Sequence, residues 1–313
     1  MNVLHNIRYT RYMPTIHGKN FIWTHLNKPS EEDILEIAKN RDLHFLVADE
    51  LLHPTFRPKV EQYGSHLYLI LHFPKYDAQD SNRGNEIDFV IGKDFLITTQ
   101  YAPLPALEEF VTSCETDKRK AMQYLTNTGE LLYHLLSRLF AYSLTELEKM
   151  DKKISAMENS IFREQNRKYV EDISLLRREI LDFRRIIHPQ QSVLRSLEEE
   201  GKVFFGKDMC LYLSRIIGDY LRMWHILENH KETVEALHET NESLLSIRTA
   251  EITKNLTIMA FIALPLTLLA NLFGMNVSSF PIVGNPYDFW IIVGIMFVGI
   301  LGMFVFFKWK KWI

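Results

Sequence analysis

Cysteine is almost absent from this sequence: Cys114 and Cys210 are the only two, far apart and with no CxxC spacing. A disulfide framework and a cysteine zinc site are therefore excluded, and free thiols suit a reducing cytoplasm. No basic arm or aromatic–basic patch accompanies the formal net charge of −3, so nothing points to nucleic acid. The opening "MNVLHNIRYTRYMPTIHGKN" has no apolar core of the kind a signal peptide needs. HExxH, the nucleophile elbow and the P-loop are all missing, which removes the enzyme classes built on them. His225, His230 and His238 fall neither three nor four residues apart, so packing or solvated roles suit them better than a metal site.

Charge is missing in a different way, from whole stretches. None occurs from Asn255 to Tyr287, and after Asp288 none occurs from Phe289 to Phe307. Crossing ~30 Å of hydrocarbon takes about 20 apolar residues in a helix. Residues 255–275 and 289–307 each satisfy that length, and the linker at 276–288 is rich in turn formers. Lys and Arg set the orientation. Arg248 and Lys254 precede the first span, Lys308, Lys310 and Lys311 follow the second, and the linker has none. Both termini are thus expected in the cytoplasm of a multi-pass inner (plasma) membrane protein, with 308–313 as a basic cytoplasmic tail. Trp290, Trp309 and Trp312 stand near span ends, where interfacial aromatics sit.

The soluble part divides by texture. Residues 1–120 read as mixed α/β. "SEEDILEIAKNR" opens with a Ser30…Asp33 capping pattern before helical apolar spacing. "HLYLILHFP" reads as a buried strand, and "NEIDFVIGKDFLITTQ" as a hairpin turning at Gly92-Lys93-Asp94. A short helix is expected over Ala106–Val111. Residues 121–254 read as helix, with breaks at Pro189 and across a turn at Gly201–Gly206. Between Pro189 and Pro265 there is no proline. Asp208 to Met275 therefore reads as one helix of about 100 Å at ~1.5 Å per residue, a cytoplasmic stalk continuing into the first span. The fold class is an α+β membrane protein.

Along the first span, Thr253, Thr257, Ala260, Leu264, Thr267, Asn271 and Gly274 recur at alternating steps of four and three. This is the seam of a helix packed at heptad spacing, and it is small and polar for a helix in lipid. Traced toward the stalk, the seam meets Ala250, Ser246, Ser243 and Glu239. The second span carries only Ile, Val, Phe, Gly and Met at such positions. Small residues also permit close helix packing with no pore, so the stripe alone leaves both roles open. Two helices cannot enclose a passage, so a conducting role requires several copies around an axis.

Gly274-Met275-Asn276 ends the first of two C-terminal spans, with "PLT" at Pro265–Thr267 upstream and "KWKKWI" at the tail. In this arrangement the chain resembles the CorA family of divalent-cation transporters, the two-span GxN superfamily. "HPTFRPKVEQYGSHLYLILHFP" and "RRIIHPQQSVLRSL" are similar to the family's N-terminal and middle regions, so the resemblance covers most of the chain. It implies a funnel-shaped homopentamer transporting hydrated Mg2+, and Co2+ or Ni2+ by extension, with no cofactor and no enzymatic activity. It further implies that Asn276 rings the outer mouth, with Met275 beside it and the Gly274 carbonyl just inside. Thr267 and Leu264 correspond to a polar ring and an apolar constriction. Leu256 corresponds to a second constriction, in place of Thr257. Lys308, Lys310 and Lys311 correspond to a basic collar at the inner exit. Glu239 on the stalk, read from its position alone, suits either an acidic ring at the inner pore or an ordinary exposed stalk charge.

Two departures stand beside the resemblance. The linker "VSSFPIVGNPYD" has no acid before Asp288, where many relatives carry a glutamate. At the start of the stalk, Arg215 and Gly218 occupy places where magnesium-sensing relatives have aspartates, leaving Asp208 and Asp219 as weak candidates for a regulatory metal site. Three readings stay open: Mg2+ transport, transport of zinc or another transition metal, and a membrane-tethered scaffold or sensor without flux.

Overall fold

The computed structural model describes residues 13–55, 57–74, 84–163, 168–275 and 286–312. The chain separates into two compact units, Met1–His238 and Glu239–Ile313.

The first unit opens on a six-stranded sheet. Its strands are β1 (Thr15–His17), β2 (Ile22–Asn27), β3 (Lys59–Tyr63), β4 (His66–Phe73), β5 (Asn85–Ile91) and β6 (Phe95–Gln100). Their order across the sheet is β1-β2-β6-β5-β4-β3. Only β2 and β6 run parallel; the other neighbours are antiparallel. Strands β4, β5 and β6 are buried at every position, because both faces of the sheet are covered. Their near-continuous apolar runs are the pattern such burial demands. The β5–β6 hairpin turns at Gly92-Lys93-Asp94, as its sequence predicts. Between β3 and β4 the chain turns through Gly64 at φ 53°, a conformation glycine adopts without strain.

Helices α1 (Glu31–Arg41) and α2 (Phe45–Leu52) cover one face. Ser30 caps α1 and the Asp33 carboxylate accepts the Ser30 backbone N–H at 2.8 Å, completing a capping box. Ile34, Val47 and Leu51 pack there on Tyr68, Ile70, Val90 and Ile97. The helices α3 (Pro105–Thr116), α4 (Lys118–Tyr124), α5 (Thr128–Arg163), α6 (Lys168–Ile187) and α7 (Gln190–Phe205) follow. Trp23 of β2 meets Phe110 of α3 at 5.8 Å between ring centroids, and Phe73 of β4 meets Phe140 of α5 at 5.6 Å.

The long helix α8 runs from Met209 to Phe273 without interruption at Pro265. Its first turns are held by α5 and α6: Phe140 and Tyr220 rings lie 6.5 Å apart, and Arg184 pairs with Glu228 at 2.7 Å. His230 is buried against Asp151 at 3.3 Å, so it serves packing, as its lack of helical partners suggests. The last helix, α9, spans Asp288–Trp309.

One expectation is corrected. Gly201–Gly206 is not a turn: α7 continues through Phe205, and the break is at Gly206, with φ 99°. Gly201 is a packing glycine instead. A Cβ there would stand 2.6 Å from Leu213 Cδ1, so its small size lets α7 lie close to α8. The helix expected over Ala106–Val111 is longer, because Pro105 takes the first helical position, where its missing N–H costs nothing.

His25 on β2 gives the first unit a measurable pH dependence. Its ring is buried, with Nδ1 2.9 Å from Thr98 Oγ1, and burial pushes its pKa down to about 4. The folded chain keeps the ring neutral while the unfolded chain protonates it near ~6.5. Stability present above ~6.5 is therefore lost as pH falls toward 4, by about 3 kcal/mol for this group. Denaturant unfolding of the full chain, followed by tryptophan fluorescence, should show this loss between pH 6.5 and 4. His25→Gln should flatten it; an unchanged slope in that variant would count against the assignment.

Candidate functional site

The second unit is built on the distal part of α8 and on α9, both apolar and long enough to cross a membrane. Two sides of α8 differ in cover. Ile258 is 7% exposed, and Ile262, Pro265, Leu266, Leu269 and Phe273 are partly covered. These positions fall on one side of a helix with 3.6 residues per turn. This is the side α9 occupies: the rings of Phe261 and Phe307 lie 6.5 Å apart, and Phe307 is 5% exposed.

On the opposite side the seam is bare. Thr253, Ala260, Leu264, Thr267, Asn271 and Gly274 are all exposed, Leu264 at 68%. Leu256 is 61% exposed, whereas Thr257 is partly covered. A row of residues every 3.6 positions from Asn271 to Thr253 passes between Leu256 and Thr257, and the exposed one of the two is Leu256. Continued downward, the row passes Thr249, Ser246 and Glu242, and leaves Glu239 about 60° to one side. Thr249 and Glu242 are absent from the heptad reading because strict alternation of four and three drifts by ~20° per heptad on a straight helix.

The hydroxyls of this row have a common orientation. Thr249 donates to the carbonyl of Leu245 at 2.9 Å, Thr253 to Thr249 at 2.8 Å and Thr267 to Ala263 at 2.8 Å. A threonine has one proton and two lone pairs. With the proton committed to the backbone, only acceptor character faces outward. Water bound to a cation presents its hydrogens, so such a surface suits a hydrated cation.

At its upper end α8 stops at Phe273. Gly274 N–H donates to Ala270 at 3.0 Å, and Met275 N–H reaches Leu272 at 3.4 Å. A Cβ on Gly274 would sit 3.2 Å from the Ala270 carbonyl oxygen, so the chain turns closely there. The C-terminal end of a helix carries about half a negative charge. A cation approaching this end is thus favoured without any carboxylate, a feature that residue types alone do not advertise. Asn276 and the linker through 285 lie outside the described residues.

The remaining candidates are scattered. Asp208 sits exposed in the turn before α8, and Asp219 is half-buried one helical stretch further on. Among the described residues, no three His, Cys, Asp or Glu side chains gather to hold a metal. Lys308, Lys310 and Lys311 are exposed at the end of α9. There the chain curls so that Trp312 stacks on Phe307 at 5.9 Å, while the Lys310 ammonium lies 5.8 Å from the Trp309 ring centroid.

Comparison with known proteins places this architecture. The family model described as CorA-like Mg2+ transporter protein matches residues 18–310. The chain is 25% identical over 297 residues to the cobalt/magnesium transport protein CorA of Thermotoga maritima, covering 93% of this chain and 83% of that protein. It is 22% identical over 293 residues to the zinc transport protein ZntB of Yersinia enterocolitica, covering 93% and 88%. Its fold resembles the structure of the CorA magnesium transporter from Methanocaldococcus jannaschii with TM-score 0.84 at 21% identity, over 94% of this chain and 92% of that one.

The uneven cover of α8 makes a direct prediction. In the full chain reconstituted in lipid, with Cys114 and Cys210 replaced by serine, single cysteines at Thr267 and Asn271 should react with a small charged thiol reagent. Cysteines at Ile262 and Leu269 should react at least about tenfold more slowly, since a thiol in hydrocarbon is rarely a thiolate. Equal rates at the two pairs would remove the distinction between the faces.

Proposed function

The chain belongs to the CorA-like Mg2+ transporter family, and from that membership we propose that it conducts divalent cations across a membrane along the bare face of α8. The observation that carries this reading is that face itself. It is a row of small, hydroxyl and amide side chains, turned away from α9 and ending at Gly274-Met275.

Such a row cannot face lipid at low cost, and one chain cannot enclose it. The proposed assembly is a homopentamer in which five copies of α8 surround the axis and α9 faces lipid. The lysines flanking the spans put both termini in the cytoplasm, and Lys308, Lys310 and Lys311 then form a collar around the inner exit. Asn276 contributes one amide per copy to a ring at the outer mouth. Thr267 gives a second polar ring below it. Leu264 and Leu256 narrow the passage and close it by dewetting.

Mg2+ gives up its water reluctantly. Neutral oxygens hydrogen-bonding to that water select the hydrated ion by size, and hold it weakly enough to release it. The membrane potential supplies the drive, at about 4.6 kcal/mol for two charges across 100 mV. Met275 between Gly274 and Asn276 favours Mg2+ over zinc. The acid-free linker and the likeness to a zinc transport protein keep zinc as the second reading. Asp208 and Asp219 would join a regulatory metal site with help from a neighbouring copy, since among the described residues neither belongs to a group of three ligands.

The test is flux into proteoliposomes under an imposed potential, for Mg2+, Co2+, Ni2+ and Zn2+ in turn, with a proton gradient examined separately. Mg2+ uptake should dominate, and Asn276→Ala should abolish uptake or erase its selectivity while leaving the oligomer intact. Unchanged uptake and selectivity in that variant would sink the proposed filter; zinc uptake exceeding Mg2+ uptake would decide for the second reading.

A further inference from the structure

A groove lies beside the Phe261–Phe307 contact at the lysine end of α9. Phe261 of α8 and Gly299, Gly302, Met303, Phe306 and Lys310 of α9 surround this groove of about 680 Å³, floored by Trp312. A Cβ added to Gly299 or Gly302 would meet no other atom within 4 Å, so the missing side chains open the groove and no backbone contact requires them. Lys310 is the one charged residue among those that line the groove.

We propose that this groove holds one acyl chain of an anionic phospholipid, with the phosphate on Lys310. Two features choose that occupant. The first is length. Gly299 to Lys310 spans eleven helical steps, about 16 Å at ~1.5 Å each, and half of a ~30 Å hydrocarbon core is ~15 Å. The groove therefore matches one chain of one leaflet, running from the mid-plane to the headgroup level. The second is charge. Lys308, Lys310 and Lys311 cluster at the headgroup end, and no acid occurs from Phe289 to the last residue given. Among the described residues no carboxylate pairs with these three lysines. Trp309 and Trp312 beside them are interfacial residues by type, and they fix the depth of the site. A neutral lipid would fill the groove and leave the cations unanswered; a soluble anion would meet the cations and leave the groove empty.

The proposal needs only insertion in a membrane, and stands or falls apart from which ion is carried. The experiment takes the full chain from vesicles of phosphatidylcholine and phosphatidylglycerol in equal amounts into mild detergent, and counts retained lipid by native mass spectrometry. Wild type should retain phosphatidylglycerol in preference to phosphatidylcholine. Lys310→Gln should lower that preference roughly fivefold, the factor expected for one interfacial lysine, while still retaining a lipid. Gly302→Phe, which fills the groove, should retain neither. Gly294→Phe, at a glycine with equally open surroundings outside the groove, should behave as wild type. Undiminished phosphatidylglycerol on Gly302→Phe would overturn the site. So would dissociation of the oligomer in that variant, which would make the groove a seat for a second copy of the chain.

Discussion

Hydrocarbon offers no hydrogen bonds, and that constraint governs how the second unit is organised. Each polar group in a span either finds a partner in its own helix or must be shielded from lipid, because an unmet group costs several kcal/mol. The threonines of α8 satisfy themselves by donating to the carbonyl one turn back. Asn271 has no such option for its whole amide, which offers two donors and two acceptor lone pairs. α9 covers the other side of α8, and it brings only apolar groups. The bare row is thus stable only where other copies or water meet it. The proposed ring of copies around a wet axis would supply both.

The first unit depends on a different balance. The proximal turns of α8 carry polar contacts to α6 and α5, the Arg184–Glu228 ion pair and the contact of the buried His230 ring with Asp151. Half-exposed pairs of this kind contribute about 0–1 kcal/mol each. Leu213, Ile216, Tyr220, Met223 and Leu227 are essentially fully buried, and each such side chain is worth about 1.5–3 kcal/mol. Burial therefore fixes this stretch of α8, and the charges serve mainly its register. Gly201 belongs to the same packing, since a larger residue would push α7 off Leu213.

Elements with strong local signals were legible in the amino-acid sequence. The Ser30–Asp33 cap, the hairpin at Gly92, the long helix and the two spans all appear as the spacing of residue types predicts. Strand β1 has three residues, β3 is the half-exposed "KVEQY", and α2 has eight residues. None is long enough to show a period, so each exists through its neighbours. Gly201 misled because glycine in a helix and glycine in a turn look alike until the facing helix is known. The seam of α8 was legible as a stripe, but its course was not. Alternation of four and three describes a supercoiled helix, whereas a straight one follows ~3.6 residues per turn, which brings in Thr249; Leu256 was already named by the family resemblance. What cover α9 gives, and to which side, depends on tertiary packing that no spacing on α8 encodes.

The absence of carboxylates from 255–287 is the feature that most needs a physical account. A single carboxylate ~4 Å from a divalent cation, at an effective dielectric of ~20, attracts it by about 8 kcal/mol. The drive available from 100 mV is about 4.6 kcal/mol for two charges. A charged ring would hold the ion more strongly than the potential can pull it, and it would compete with the ion's own water. Hydroxyl, amide and carbonyl oxygens reverse the ordering. Each attracts the hydration shell by about 1 kcal/mol net, so their sum over a ring stays comparable to the drive. The half negative charge at the C-terminal end of α8 adds a shallow attraction where the proposed passage would open. On this argument an acid-free stretch that ends in a helix C-terminus is what the passage of a strongly hydrated cation requires.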